Sequence, residues 1–234
     1  MQQTNALVSS SDLEAQSFDR TRTNDRVFFG GIAWVLSVTV LAGFSRTYYF
    51  NDFVADPFPL SPLMHLHGAV YSAWMLLLVL QTTLIARGRV RLHRRLGIAG
   101  CVIAASMVVL GIAVAVTRTA DGVTADRGVP PLVFLAVPLV GMLVFAALFA
   151  AAVLLRRNAA AHKRLVILAT LEMVTAAVAR LPVVETWGPL GFFGVIDVFV
   201  IALLAYDLAS LRRVHPATLW GGLFFVLSQP LGLV

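Results

Sequence analysis

SPLMHLHGAVYSAWMLLLVLQTTLIARGRVRLHRR, from Ser61 to Arg95, decides the fold. From Ser61 to Ala86 there is no Asp, Glu, Lys or Arg, over a length that exceeds the roughly 20 residues a helix needs to cross a bilayer. Arg87, Arg89, Arg91, Arg94 and Arg95 follow at once. An apolar run closed by dense positive charge marks a helix that ends on the cytoplasmic side of a membrane. The whole chain has this character: of 234 residues, 59% are hydrophobic and 13% charged, with a mean hydropathy of +0.86. That is too apolar for a water-soluble domain.

Seven apolar stretches, near residues 27–45, 61–86, 96–117, 131–155, 161–183, 189–211 and 216–234, approach spanning length, the last being short. Most basic residues fall in four clusters: Arg20, Arg22 and Arg26 before the first stretch; the five arginines after the second; Arg156, Arg157, Lys163 and Arg164 after the fourth; Arg212 and Arg213 before the seventh. Arg46, Arg118, Arg127 and Arg180 remain for the other side. An odd number of spans puts all four clusters on one face, which the positive-inside rule makes cytoplasmic. The expected fold class is therefore all-α: a polytopic membrane protein, one bundle of seven transmembrane helices over residues 27–234. Its N-terminus is cytoplasmic and its C-terminus outside. Residues 1–26 are polar, mixed in charge and without apolar periodicity, so they are expected to form a disordered cytoplasmic tail. They lack the order of features of a signal peptide.

The net charge of +6 is spent on topology and on anionic headgroups at the cytoplasmic face, so the expected partner is the lipid bilayer and not nucleic acid. The single cysteine, Cys101, excludes an internal disulfide and a thiolate metal cage. A retinal protein needs an interior Schiff-base lysine, and the one lysine is Lys163, at a cytoplasmic helix start. The loop from Arg46 to Pro62, with Tyr48, Tyr49, Phe50, Phe53 and Phe58 among prolines, is stiff and aromatic and suits the membrane surface or the bundle mouth. Thr117 to Pro130 reads as a mobile polar loop.

Ionisable side chains within a membrane are costly and are functional candidates by default. His65 and His67 in the second span, Glu172 and Arg180 in the fifth, and Asp197 in the sixth make up the set, with Asp207 nearer the cytoplasmic end. At about 1.5 Å per residue, His67 lies roughly 9 Å and Asp197 roughly 10 Å in from the outer helix ends, and Glu172 lies near the midplane. Residues two apart differ by about 200° around a helix, so His65 and His67 cannot both face one central ion. His67 shares its face with Tyr71, Trp74 and Gln81 and is the one expected inside. Three readings follow. In the first, His67, Glu172 and Asp197 hold a transition metal ion or haem b, redox-linked, with His65, Tyr71, Trp74, Gln81 and Arg180 around them. In the second, the carboxylates carry protons or a cation in a small-solute transporter. In the third, Arg180 and Asp197 simply pair inside a non-enzymatic accessory or scaffold subunit. Zinc would take imidazole and carboxylate donors, whereas bis-histidine haem needs histidines on two facing helices, which the outer half lacks.

The cytoplasmic side has them. RLHRRLGI at Arg91–Ile98, AHKRLVI at Ala161–Ile167 and RRVHPATLWGG from Arg212 place His93, His162 and His215 at three helix starts, in what reads as a weak repeat of hairpins. Any two could supply a haem pair, or all three could be interfacial. With FSRTYYF, these HLHG, LHRRLG and RRVHP phrases resemble a family of small bacterial seven-span membrane proteins without an assigned activity, over nearly the whole chain from Arg26. The HRRLG and HKRL stretches are more faintly similar to other bacterial membrane domains. The resemblance implies a bacterial inner-membrane location and a stand-alone bundle, and it brings no catalytic residues.

Overall fold

The computed structural model describes residues 10–57, 59–122 and 130–232. Among them the chain is helical and contains no strand: α1 Ser10–Gly43, α2 Pro62–Ala86, α3 Val90–Ala120, α4 Pro131–Leu154, α5 Ala159–Val178, α6 Pro182–Glu185, α7 Gly188–Leu211 and α8 Pro216–Ser228. Local chemistry sets several boundaries. Ser61 caps α2, its hydroxyl accepting from the Met64 N–H at 3.3 Å with Pro62 in the first turn. The Asn158 carboxamide accepts from the Ala160 and Ala161 N–H groups at the start of α5. Pro182 holds Leu181 in extended backbone, so the fifth helix closes at Val178, short of residue 183. Helix α1 begins at Ser10, so residues 10–26, expected as a disordered tail, are helical; residues 1–9, with part of the polar loop at 123–129 and Phe58, lie outside the described residues.

Five helices are long and apolar enough to cross a membrane: α1 from Thr23, α2, α3, α4 and α7. Apolar side chains such as Trp34, Leu76, Val109, Leu143, Ile201 and Trp220 point outward around the bundle, as lipid permits and water would not. Helix α5 differs in kind. It has 20 residues, carries Lys163, Arg164 and Glu172, and buries eleven of its side chains, whereas only 22–33% of each lipid-length span is buried. It packs against α1, α4, α7 and α8 while α2 and α3 close the far side. A helix so sheltered can carry charge because its neighbours, not lipid, surround it. Helix α8 is short, 13 residues, or roughly 20 Å of a hydrocarbon layer about 30 Å thick.

The four basic segments meet at one end of the bundle. Lys163 Nζ pairs with Asp25 at 2.6 Å, and the Tyr206 hydroxyl donates to the same carboxylate at 2.8 Å. Phe28 stacks on Tyr206, ring centres 3.9 Å apart. Asp25 thereby fastens the helical extension of α1 to α5 and α7. Deeper in, Arg164 and Asp207 form an ion pair, Nε donating at 2.9 Å and Nη2 also engaged. The second Asp207 oxygen accepts from the Thr218 hydroxyl at 2.6 Å and the His215 N–H at 3.0 Å. Arg212 takes a left-handed conformation, φ 57°, at the end of α7, turning the chain so that α8 starts beside Asp207. One carboxylate therefore joins α5, α7 and α8. Both charges are almost wholly buried, and each polar atom needs its partner.

Removing one member of such a pair costs about 3–5 kcal/mol, more than removing both. Asp207→Ala is thus expected to lower the thermal unfolding temperature in detergent more than the double variant Arg164→Met, Asp207→Leu; equal losses would argue against a desolvated pair. Packing gives a second expectation. A Cβ on Gly43 would run into the backbone of Ala177, while one on Gly30 meets nothing within 4 Å. Gly43→Val should cost about 1–3 kcal/mol and Gly30→Ala should leave the unfolding temperature unchanged or higher.

Candidate functional site

The opposite end, expected to be the outer one, is built around the start of α2. The aromatic loop folds back on it: the Tyr48 hydroxyl donates to the His65 carbonyl at 3.1 Å, and the Tyr49 and Ser72 hydroxyls share a bond of 2.8 Å. The Tyr48 ring occupies the space a Cβ on Gly68 would need. His65 is exposed and His67 faces inward. The His67 ring stacks on Tyr71 at 4.0 Å and lies beside the Leu110 carbonyl, with Arg180 close enough for its charge to act on the ring. Its Nδ1 is buried without a hydrogen-bond partner. Tyr71 in turn donates to the Met107 carbonyl at 2.9 Å and touches Met142 Sδ at 3.4 Å.

The three outer candidates do not come together. Among the described residues no group of three His, Cys, Asp or Glu side chains converges on a point that could hold a metal ion. Asp197 is taken by the last turn of the chain, its Oδ1 accepting from Gln229 Nε2 at 2.7 Å. It therefore does not form the expected pair with Arg180, which donates to the Ala176 carbonyl at 2.6 Å and lies over the Phe44 ring at 4.7 Å. Glu172 faces α4, with Oε1 2.7 Å from where a Cβ on Gly141 would stand. Glycine at 141 makes the space for this carboxyl. Glu172 is partly buried and makes no hydrogen bond or ion pair with any described residue.

Two members of the expected outer shell belong elsewhere. Trp74 is core: its indole N–H donates to Thr170 Oγ1 at 3.3 Å and its ring packs edge-on against Phe145 and Phe149. Gln81 sits at the basic end, its Nε2 donating to the His93 carbonyl at 3.2 Å, because about four turns of α2 separate it from His67. There His93 and His162 approach, ring centres 6.3 Å apart with planes at 84°. His215 does not join them. It caps α8, its Nδ1 accepting from the Ala217 N–H at 3.1 Å. An open outer cleft of about 260 Å³ between the start of α2 and the end of α3 includes Ser61, Met64, Thr117, Arg118 and Asp121, and none of the candidate residues lines it.

Arg164 and Thr218, which with Asp207 hold the basic end together, were not among the candidates. Their signal is helical phase. Ala161, Arg164, Leu168 and Leu171 share one buried stripe of α5, and Val200, Leu203 and Asp207 share one on α7. A charge that keeps step with buried apolar residues is itself buried.

Compared with known proteins, the chain matches no family, no curated protein and no solved structure.

His215 makes the stability of the basic end depend on pH. Burial, with the Arg164 charge nearby, pushes its imidazole below the ordinary histidine value, and its capping bond requires an unprotonated Nδ1. A lowered folded-state value means the contribution is complete above the unfolded value of about 6.5 and is lost as pH falls through the folded one. Unfolding temperature should therefore drop on acidification below about pH 6.5, and His215→Asn, which can cap without titrating, should flatten that part of the profile.

Proposed function

We propose that this chain is a seven-span bacterial inner-membrane protein, basic end in the cytoplasm, that passes a proton or small cation through its bundle by way of Glu172. Several features support the topology. Five helices have spanning length, the four basic segments share one end, and α5 is shielded by its neighbours. Helix α8, the short seventh, packs on α5 and α7. The basic end then faces anionic headgroups, as Arg87, Arg89, Arg91, Arg94 and Arg95, all exposed, would favour.

The function rests on one observation: among the described residues Glu172 is the interior acid that makes no hydrogen bond or ion pair. Asp207 is tied to Arg164, Thr218 and the His215 N–H, Asp25 to Lys163 and Tyr206, and Asp197 to Gln229. A carboxylate in a poorly solvated bundle requires a proton or a cation for charge balance. Where the protein supplies neither a positive partner nor donors, the balancing charge is free to come and go. His67, with its unpartnered Nδ1 on the outer side, is placed to exchange it with the external face. The metal or haem reading of the outer half needs His67, Glu172 and Asp197 around one centre, and their separate neighbours favour the ion-handling reading over it.

Pyranine-loaded proteoliposomes under a potassium diffusion potential test this. Wild-type protein is expected to acidify the lumen about tenfold faster than empty vesicles, with Glu172→Gln at the empty-vesicle rate and His67→Ala intermediate. Equal rates for wild type and Glu172→Gln would leave Glu172 a packing residue and favour the accessory-subunit reading.

A further inference from the structure

The basic end holds a second polar group of atoms that neither the Arg164–Asp207 network nor Glu172 uses. His93, on the first turn of α3, and His162, on the first turn of α5, bring their imidazoles together with ring centres 6.3 Å apart and planes nearly perpendicular. His162 Nδ1 lies 2.8 Å from the Ala152 carbonyl. A carbonyl can only accept, so Nδ1 carries the proton and Nε2 keeps its lone pair. His93 Nδ1 is buried with no partner, while the ring lies beside the backbone carbonyl of Gln81. The Gln81 side chain is anchored to the His93 carbonyl through Nε2, and its Oε1 is also buried without a partner. Two buried polar atoms without partners, on residues hydrogen-bonded to one another and beside a second imidazole, require an explanation.

We infer that His93 and His162 form a binding site for one transition-metal centre, each supplying an imidazole nitrogen, with Gln81 Oε1 beside it as a further oxygen donor. The spacing fits. A metal–imidazole bond of about 2.0–2.1 Å, with the ring centre about 1.1 Å behind its nitrogen, puts two rings on opposite sides of one ion about 6.3 Å apart. A tetrahedral angle between the same ligands would bring the centres to about 5.2 Å. The observed separation therefore leaves room for one metal between the two imidazoles, a free ion or the iron of a haem. The tautomer of His162 also fits, because metal-bound histidines characteristically donate their other N–H to a backbone carbonyl or a carboxylate. The site is separate from Glu172: it lies about three turns, roughly 15 Å of rise, before Glu172 on α5, and its second histidine is on α3.

The shared chemistry is an imidazole-seeking metal, and one sample distinguishes its two sources. The full chain, purified in detergent, is analysed for copper, iron and zinc and by ultraviolet–visible spectroscopy before and after dithionite; metal-free preparations are then loaded with cuprous ion against a chromogenic chelator, or with haemin. The expected result is about one metal per chain, falling at least about tenfold in His93→Ala and in His162→Ala and unchanged in His215→Asn. A Soret band that follows the metal identifies haem iron, whereas metal without a Soret band identifies a free ion. Gln81→Leu should weaken retention by less than either histidine variant. If an alanine variant does not elute as folded protein, His93→Asn and His162→Asn are scored in its place. Protein that neither retains nor takes up metal or haemin, or that binds equally well without either histidine, overturns the inference.

Discussion

The buried pair of Arg164 and Asp207 is the constraint around which the bundle is organised. Two charges removed from water are tolerable only when they are paired and further hydrogen-bonded, and here they are: each Arg164 nitrogen donates, to Asp207 or to the Ala160 carbonyl at 2.8 Å, and Thr218 and the His215 N–H complete Asp207. Satisfying that one carboxylate fixes where α5 starts, where α7 ends and how α8 is entered. The Asp25 link then adds α1, through Lys163 next to Arg164 in sequence. The basic end is thus a hydrogen-bonded plate. The rest of the bundle is held mainly by packing of Leu, Val, Ala and Phe around α5, where lipid gives helices no hydrophobic reason to associate and close fit must serve instead.

This arrangement separates the interior into two regimes. At the basic end polar groups are numerous and mostly satisfied, with the His93–Gln81–His162 group and the Ser210 hydroxyl as exceptions among the described residues. Towards the outer half they are sparse and largely single: Glu172 against Gly141, His67 on Tyr71, Asp197 on Gln229. Fully paired groups set geometry, and unpaired ones are where protons, ions or metals have something to gain by binding.

How much of this is legible in the sequence follows from what kind of information each feature needs. Helix positions come from runs of apolar residues and from Ser61, Asn158 and Pro182, all local signals. That His67 and not His65 turns inward follows from the 200° between them. Orientation of the four basic clusters to one end follows from counting spans. Pairings between distant helices do not: Arg164 looks like one more topology charge beside Arg156, Arg157 and Lys163 until α7 is placed next to it, and Gln81 looks like a neighbour of His67 by phase although about four turns of rise carry it to His93. Residue counting sets how far along their helices His67, Glu172 and Asp197 stand, but not which neighbours each side chain meets, and among the described residues no group of three such side chains converges.

The 43-residue separation of Arg164 and Asp207 has a consequence for how the protein is made. At about 5–20 residues per second, several seconds pass between synthesis of the arginine and of the aspartate that neutralises it. During that interval α5 carries three charges and lacks the helices that later enclose it. Among the described helices α5 is the one whose buried arginine is neutralised only by a residue not yet translated, so it is expected to wait at the translocon or at the membrane interface until α7 arrives.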